Sequence, residues 1–283
     1  MVFNPEAKLN DIPIVVIDTE TTGLHPGLGD RVVEVGAVRF EGWRQVGEFN
    51  QMVNPNRPMG EQAAAVVGIY DEDLVDKPPF IDIADDLLTF MEGALLVAHN
   101  APFDANFLSL EFILCDLNQR LPLKEPVLPN PWLCTLQLAR RHFHFGRNHL
   151  GNVAYKLGAA VGRAHRALND VYTTAEVLKR MARQLERSHR FYTVADLLHA
   201  QGGPIYGPPP PEIELLEPMA TAVTDKRLLS ILYMGENGET QRIITPRYVT
   251  EHRGEIYIIA YCHLRQAQRT FRLDRIFSAT WSD

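Results

Sequence analysis

Cysteine, positive charge and long apolar runs are all scarce in this 283-residue sequence. The three cysteines, Cys115, Cys134 and Cys262, are odd in number and far apart, which argues against a disulfide framework or a cysteine metal site. No apolar run approaches the roughly 20 residues that a helix needs to span a bilayer. The N-terminus lacks a basic region followed by an apolar stretch, so no secretion signal is expected. These absences predict a cytoplasmic protein.

The formal net charge of −7 is unlike that of a typical nucleic-acid-binding protein, because phosphate contacts favour Lys and Arg. The charge is unevenly distributed: residues 1–217 are acidic, whereas residues 218–283 have a slight basic excess. An acidic region can still bind phosphate when divalent cations neutralise its carboxylates. The charge alone therefore neither supports nor excludes a nucleic-acid substrate.

Hydrophobic periodicity predicts a mixed α/β fold in the first two thirds of the chain. A Val- and Ile-rich run at 13–18 and two further strand-like runs, 31–42 and 45–53, predict an antiparallel meander. Residues 95–98 form another apolar run that is typical of a buried strand. Helical spacing begins near Phe80 and predicts helices over 104–115, 133–143, 150–157 and 170–187.

The four consecutive prolines at 208–211 interrupt this pattern and are typical of an extended spacer. Before them, Thr193 and Asp196 have the spacing of a capping box, which predicts a short helix over 193–200. After them, four strand-like runs predict a small all-β unit (228–235, 239–246, 255–262 and 269–277). We therefore expect a domain over 1–187, a helix and linker over 188–217, and a second domain over 218–283.

Carboxylates occur at three places where strands or loops lead into helices. Asp18 and Glu20 are two residues apart at the end of a predicted strand, so both side chains should face the same side. Such a pair suits a hard divalent cation, although two ordinary surface acids would give the same pattern. Asp104 is expected in the first turn of a helix, where an acid also stabilises the helix without any catalytic role. His165 lies on the loop before the longest predicted helix, and Asp170 lies in the first turn of that helix. A histidine with an ordinary pKa can activate water at neutral pH.

Taken in order, the three segments carry a specific resemblance. They resemble the three motifs of the DEDDh 3′→5′ exonucleases. The segments are Asp-Thr-Glu-Thr-Thr-Gly-Leu from Asp18, His-Asn-Ala-Pro-Phe-Asp ending at Asp104, and His165 followed by Asp170. That family includes the epsilon subunit of bacterial DNA polymerase III. The resemblance covers about residues 12–187. It implies a ribonuclease H-like mixed sheet with flanking helices and hydrolysis of phosphodiester bonds from the 3′ end.

The resemblance also implies a role for each residue. Asp18, Glu20 and Asp170 would hold one divalent ion, Mg²⁺ or Mn²⁺, and Asp18 with Asp104 would hold a second. His165 would take a proton from the attacking water. Further positions match the loop and wall that bind the terminal nucleotide: Thr21, Thr22, Gly23, Leu24 and Phe103.

The sequence departs from the family at one position and contains one weaker pattern. Val67 stands where members often have a histidine that contacts the terminal nucleotide. The three histidines His142, His144 and His149 are irregularly spaced, which favours loop or capping roles over a zinc site.

Residues 220–283 resemble the WYL domain, a small SH3-like β-barrel, through the Ala-Tyr-Cys ending at Cys262 and the Phe-Arg-Leu-Asp-Arg-Ile starting at Phe271. The Trp-Tyr-Leu tripeptide from which the WYL domain takes its name is replaced here by Ile256-Tyr257-Ile258, so its Trp is absent. The resemblance implies binding of single-stranded nucleic acid or of a small charged ligand, for which this unit offers a basic cluster of Arg265, Arg269, Arg272 and Arg275. The same arginines would equally serve to solubilise the unit and to pair with neighbouring acids.

The sequence thus predicts a metal-dependent 3′→5′ exonuclease with single-stranded DNA as the favoured substrate. An exoribonuclease is the first alternative, since nothing in the sequence identifies a reader of the 2′-hydroxyl. A ligand-responsive regulator that uses the exonuclease fold as a scaffold is the second.

Overall fold

Two units with separate apolar cores make up the chain. The computed structural model describes residues 4–117, 128–160, 166–236 and 238–282. The larger unit comprises Met1–Thr22 and Arg31–Pro209, and the smaller comprises Gly23–Asp30 and Pro210–Asp283. The division after Pro209 falls within the predicted proline spacer. Among the described residues, no helix is both long enough and apolar enough to cross a membrane.

The larger unit is built on a mixed five-stranded sheet in the order β3-β2-β1-β4-β5. The first three strands pair antiparallel, as the sequence predicts, and β4 pairs parallel with both β1 and β5. The strands are β1 (Ile14–Thr21), β2 (Val32–Glu41), β3 (Arg44–Met52), β4 (Leu95–Ala98) and β5 (Trp132–Cys134).

Helices cover both faces of this sheet, which is why β1 is apolar at consecutive positions rather than at alternate ones. Ile14 and Val16 belong to one core cluster, and Val15 and Ile17 belong to another. Each such buried side chain contributes about 1.5–3 kcal/mol to folding. The helices of this unit are α1 (Glu61–Val67), α2 (Asp71–Leu74), α3 (Ala84–Met91), α4 (Ala101–Leu117), α5 (Thr135–His142), α6 (Leu150–Leu157), α7 (Ala167–His189) and α8 (Val194–Ala200).

Most predicted helices are present, but the helix predicted over 133–143 begins two residues later. Leu133 and Cys134 belong to β5 instead, because their backbone pairs with β4. Short apolar runs of this kind do not distinguish a strand from a helix by periodicity alone.

The segment after α7 adds to the larger unit. Helix α8 begins with the predicted capping box, in which Thr193 and Asp196 exchange hydrogen bonds. Its Val194 and Leu197 lie in the same core cluster as α7. Beyond the helix, Gln201 is 3% exposed and its side-chain oxygen accepts a hydrogen bond from the Cys134 N–H at 2.6 Å. Residues within the predicted 188–217 linker therefore complete the core and edge of this unit.

The smaller unit contains a helix, α9 (Met219–Asp225), and an antiparallel sheet in the order β10-β6-β7-β8-β9. The sequence predicts one strand over 269–277, but a 3-10 helix at Leu273–Arg275 divides this stretch into two strands. Pairing among the described residues leaves the sheet open rather than closed as a barrel. The strands are β6 (Leu229–Gly235), β7 (Gly238–His252), β8 (Glu255–Cys262), β9 (Ala267–Arg272) and β10 (Ile276–Trp281).

Candidate metal centre

Three carboxylates converge at the end of β1. Asp18 and Glu20 continue the alternation of Ile14 and Val16, so they face the side of the sheet covered by α7. The first turn of α7 carries Asp170. One ligand oxygen from each of the three carboxylates lies within 4.8 Å of the others. A single ion of ordinary ligand distance would reach all three.

Asp104 approaches from the opposite face of β1. It lies in the first turn of α4 and is 2% exposed. Its Oδ1 accepts hydrogen bonds from the backbone N–H and from the hydroxyl of Thr19, both at 2.9 Å. Since Thr19 stands between Asp18 and Glu20, these bonds fix Asp104 against the segment that carries the other two acids.

Three of these four acids, Asp18, Glu20 and Asp104, have pKa values raised above their ordinary range, and burial is the largest cause in each case. Burial, followed by the charges of Asp104 and Glu20, raises the pKa of Asp18 well above its ordinary value. Burial raises the pKa of Glu20 to about 8, with the nearby charges of Glu34 and Asp170 adding to the rise. Burial raises the pKa of Asp104 to about 7, although the hydrogen bonds from Thr19 oppose this.

This donor set fits a divalent metal ion. Hard cations such as Mg²⁺ and Mn²⁺ prefer carboxylate oxygens, and the cluster offers several at close range. Gathering like charges in a buried site is unfavourable unless a cation neutralises them. The chemistry of the ligands and their mutual repulsion therefore point to the same occupant.

An ion pair that the sequence did not reveal anchors the start of α7. Glu34 lies opposite Glu20 in the pairing of β1 with β2 and is 1% exposed. Its carboxylate accepts hydrogen bonds from Arg166 Nη2 at 2.8 Å and Nε at 3.2 Å, and from the Ala167 N–H at 3.2 Å. The pair holds the N-terminus of α7, and with it Asp170, against the sheet.

His99, in the second motif, supports this region without belonging to the metal cluster. Its ring nitrogens contact the Thr135 hydroxyl and the Asn148 carbonyl oxygen, each at 2.8 Å. Burial lowers the pKa of His99. The histidine therefore connects the end of β4 to the start of α5. The predicted general base, His165, lies outside the described residues.

The predicted nucleotide-binding residues occupy three settings. Thr21 and Thr22 are buried at the end of β1, and the Thr22 hydroxyl accepts a hydrogen bond from the Arg31 N–H at 3.1 Å. Leu24 is 70% exposed, and with Gly23 it belongs to the smaller unit. Half-buried Phe103 packs on Phe107 with ring centroids 4.8 Å apart.

Val67 and His149 have structural roles. Val67 ends α1 and packs in an apolar cluster with Val33, Ile69 and Leu74, so this position contributes to a core. His149 caps α6, accepting a hydrogen bond from the Asn152 N–H, and this capping role agrees with the sequence prediction.

The four arginines of the predicted basic cluster differ in their surroundings. Arg265, Arg269 and Arg275 are exposed. Arg272 instead makes a two-pronged ion pair with Asp274, at 2.6 and 2.7 Å, and lies 3.4 Å from Glu255. Alternation along β9 also places Arg269 and Arg272 on opposite faces of the strand. The predicted cluster thus contains three exposed arginines and one that is paired with acids.

Comparison with known proteins identifies both units. Residues 15–178 match the sequence model of the exonuclease family, described as "RNase_T: Exonuclease". The chain belongs to the exonuclease family. Residues 214–281 match the WYL domain, so the chain joins a DEDDh-type exonuclease domain to a WYL domain.

Individual relatives of this exonuclease domain span several kinds of protein. The chain is 35% identical over 173 residues to a DNA polymerase III subunit epsilon from Treponema pallidum, covering 60% of this chain and 76% of that protein. It is 32% identical over 188 residues to a PolC-type DNA polymerase III from Thermotoga maritima, covering 65% of this chain but only 13% of that protein. Among solved structures, exonuclease X in complex with 5′ overhanging duplex DNA is 29% identical, with a TM-score of 0.50, covering 67% of this chain and 99% of that chain. The exonuclease domain is therefore shared, while most of the length of the PolC-type polymerase lies beyond the aligned region.

Proposed function

We propose that this protein is a metal-dependent 3′→5′ exonuclease that hydrolyses phosphodiester bonds at the 3′ end of nucleic acid. The observation that carries the proposal is the convergence of Asp18, Glu20 and Asp170 within 4.8 Å on an exonuclease-family fold. A scaffold protein would gain nothing from keeping buried carboxylates at this range, since their repulsion disfavours the folded state. The cluster therefore argues against the hypothesis of a ligand-responsive regulator that uses the exonuclease fold only as a scaffold.

The residues divide between two metal positions and one base. Asp18, Glu20 and Asp170 would hold one ion, and Asp18 with Asp104 would hold the other. When bound at these positions, two divalent ions, Mg²⁺ or Mn²⁺, would supply an acidified water and stabilise charge on the leaving oxygen. His165 takes the proton from the attacking water, and Thr19 keeps Asp104 in place through its two hydrogen bonds.

Exposed Leu24 and half-buried Phe103 would contact the bases of the substrate. In this account Leu24 inserts between the last two bases and Phe103 forms an apolar wall. Thr21, Thr22 and Gly23 would form the loop beneath the terminal nucleotide, and the Thr22 N–H, which donates to the Arg31 carbonyl oxygen at 2.9 Å, would hold that loop in place rather than contact the nucleotide. Single-stranded DNA is the favoured substrate because a free strand end enters a buried carboxylate site without prior unpairing.

The WYL domain would bind nucleic acid in addition to the exonuclease domain. Arg265, Arg269 and Arg275 are exposed and could contact phosphates. The Asp274 and Glu255 contacts make Arg272 a weaker contributor. We expect Arg265→Ala/Arg269→Ala/Arg275→Ala to weaken binding of long strands and to reduce its salt dependence, with Arg272→Ala as the matched comparison. Equal affinity of the triple variant and the wild type would leave a small charged ligand as the function of this domain.

Strand degradation tests the proposal and separates DNA from RNA. Matched 5′-labelled single strands of DNA and RNA are incubated with the full-length protein and Mg²⁺ or Mn²⁺. We expect both metals to support shortening from the 3′ end, faster on DNA. Faster shortening of RNA would identify an exoribonuclease. Absence of any shortening, with metal binding intact, would favour the ligand-responsive regulator.

A further inference from the structure

The loop Gly23–Asp30 follows directly after the strand that carries Asp18 and Glu20, yet it folds with the C-terminal sheet. The loop contains a short 3-10 helix, Pro26–Leu28, and carries the exposed Leu24. Its neighbours in the smaller unit are β7, β8 and β9. The position of this loop is thus set by residues more than two hundred positions away in the sequence.

Two threonine hydroxyls hold the loop by its backbone. The Thr250 hydroxyl, on β7, donates to the Gly27 carbonyl oxygen at 2.6 Å. The Thr270 hydroxyl, on β9, donates to the Leu28 carbonyl oxygen at 2.8 Å. Thr250 is 3% exposed, so loss of its partner would leave a buried polar group unsatisfied.

Two glycines allow the loop to lie directly on the sheet. A Cβ at Gly27 would come within 2.5 Å of the Glu251 carbonyl oxygen, which is too close for any side chain. Gly29 has φ +93°, and a Cβ there would lie 3.2 Å from Ile259 Cδ1. The loop therefore packs directly on the β7 backbone at Gly27 and on the Ile259 side chain of β8 at Gly29.

We propose that the C-terminal sheet supports the substrate loop of the exonuclease, with Thr250 and Thr270 as positioning residues for Gly23 and Leu24. The inference rests on the proposed function, in which Gly23 and Leu24 contact the terminal nucleotide. A short exposed loop samples many conformations unless it is tethered, and fixing it beforehand improves substrate alignment. The WYL domain then contributes to strand-end recognition through the backbone of this loop, independently of any phosphate contacts.

The test removes both hydroxyls from the full-length protein while preserving side-chain shape. We expect Thr250→Val/Thr270→Val to lower kcat/KM on a 5′-labelled single strand about tenfold, as misplacement of a substrate-binding group does. The carboxylates are untouched, so Mn²⁺ affinity by calorimetry should stay within about twofold of wild type. Thr250→Ser/Thr270→Ser keeps the hydroxyls and should restore activity. Thr245→Val is the matched control, because its hydroxyl contacts His263 within the same sheet.

A double-mutant cycle with Leu24→Ala separates positioning from general damage. If the threonines act through the loop, their removal in the Leu24→Ala background should cost less than about twofold further. An undiminished loss in that background would overturn the inference, and so would equal losses from Thr245→Val. Should the double variant fail to fold, the single Thr270→Val at its half-buried site replaces it, with about a threefold expected loss.

The outcomes also distinguish this inference from the proposed function. An active wild type whose threonine variants are unimpaired overturns the inference alone. A wild type that degrades no strand, or an active protein in which Leu24→Ala has no effect, overturns the substrate role on which the inference rests.

Discussion

Gly36 lies directly opposite Asp18 in the antiparallel pairing of β1 with β2. A Cβ at Gly36 would come within 2.6 Å of the Ala167 carbonyl carbon and of the Leu168 nitrogen, both in the first turn of α7. Only glycine therefore lets α7 approach β2 at this point. The approach brings Asp170, in the same turn, to Asp18.

Gly36→Ala should move the first turn of α7 away from the sheet. We expect destabilisation of about 1–3 kcal/mol, as for other overpacked sites. The rate of strand degradation should fall by more than the loss of stability explains, because Asp170 moves with the first turn of α7. Gly151→Ala in α6 is a matched control, since its Cβ would meet nothing closer than 3.8 Å. Chemical denaturation and strand degradation on both variants check this, and retention of full activity by Gly36→Ala would contradict the account.

Arg166→Met should leave the buried Glu34 carboxylate without its cation. Because Arg166 is itself 46% exposed, the cost is expected at about 1–2 kcal/mol, below that of a fully buried pair. The start of α7 would loosen, so kcat should fall. Arg180→Met on the same helix removes a solvent-exposed partner of Glu176 and should cost at most about 1 kcal/mol. Equal effects of the two substitutions would show that the Glu34 pair has no special role.

Metal-free protein should lose stability as pH rises. The pKa of Glu20 is raised to about 8 in the folded protein from 4.5. Between these values the folded protein keeps a proton that the unfolded chain has released, so the free energy of unfolding declines. The raised pKa values of Asp18 and Asp104 act in the same direction. Melting temperatures in EDTA should fall between about pH 5 and pH 8, and Mn²⁺ should stabilise most at the upper end. If the increase in melting temperature caused by Mn²⁺ did not grow with pH, the proposed metal site would be contradicted.

His165→Ala should separate metal binding from catalysis. Loss of a general base lowers rates by about 10²–10⁴, while the carboxylates that hold the metal remain. Calorimetry with Mn²⁺ should therefore give near wild-type affinity in this variant and a large loss in Asp18→Ala. If His165→Ala loses metal affinity as severely as Asp18→Ala, the histidine is a ligand rather than the base.

Local patterns in the sequence predicted much of the larger unit. The Val- and Ile-rich apolar run predicts the strand at 13–18, and period-two geometry predicts the shared face of Asp18 and Glu20; the structure confirms both. The pairing of Glu34 with Arg166 could not be predicted, because it joins residues 132 positions apart. The exclusion of a side chain at Gly36 depends on the same long-range packing.

The smaller unit was harder to predict for the same reason. The stretch after Phe271 has a continuous strand-like pattern, yet Leu273–Arg275 turns as a 3-10 helix. The attachment of Gly23–Asp30 to this sheet has no local signal, since a turn rich in Gly and Pro predicts only a loop. Its partners are hydroxyls on distant strands.

The most direct test of the central claim follows the products of a 5′-labelled single strand over time in wild type and Asp18→Asn. The substitution keeps the shape of the side chain but removes a charge that both proposed metal positions share. The account predicts a ladder that shortens one nucleotide at a time from the 3′ end, requires Mg²⁺ or Mn²⁺, and disappears in Asp18→Asn. Undiminished shortening by Asp18→Asn, or wild-type products from internal cuts, would contradict it.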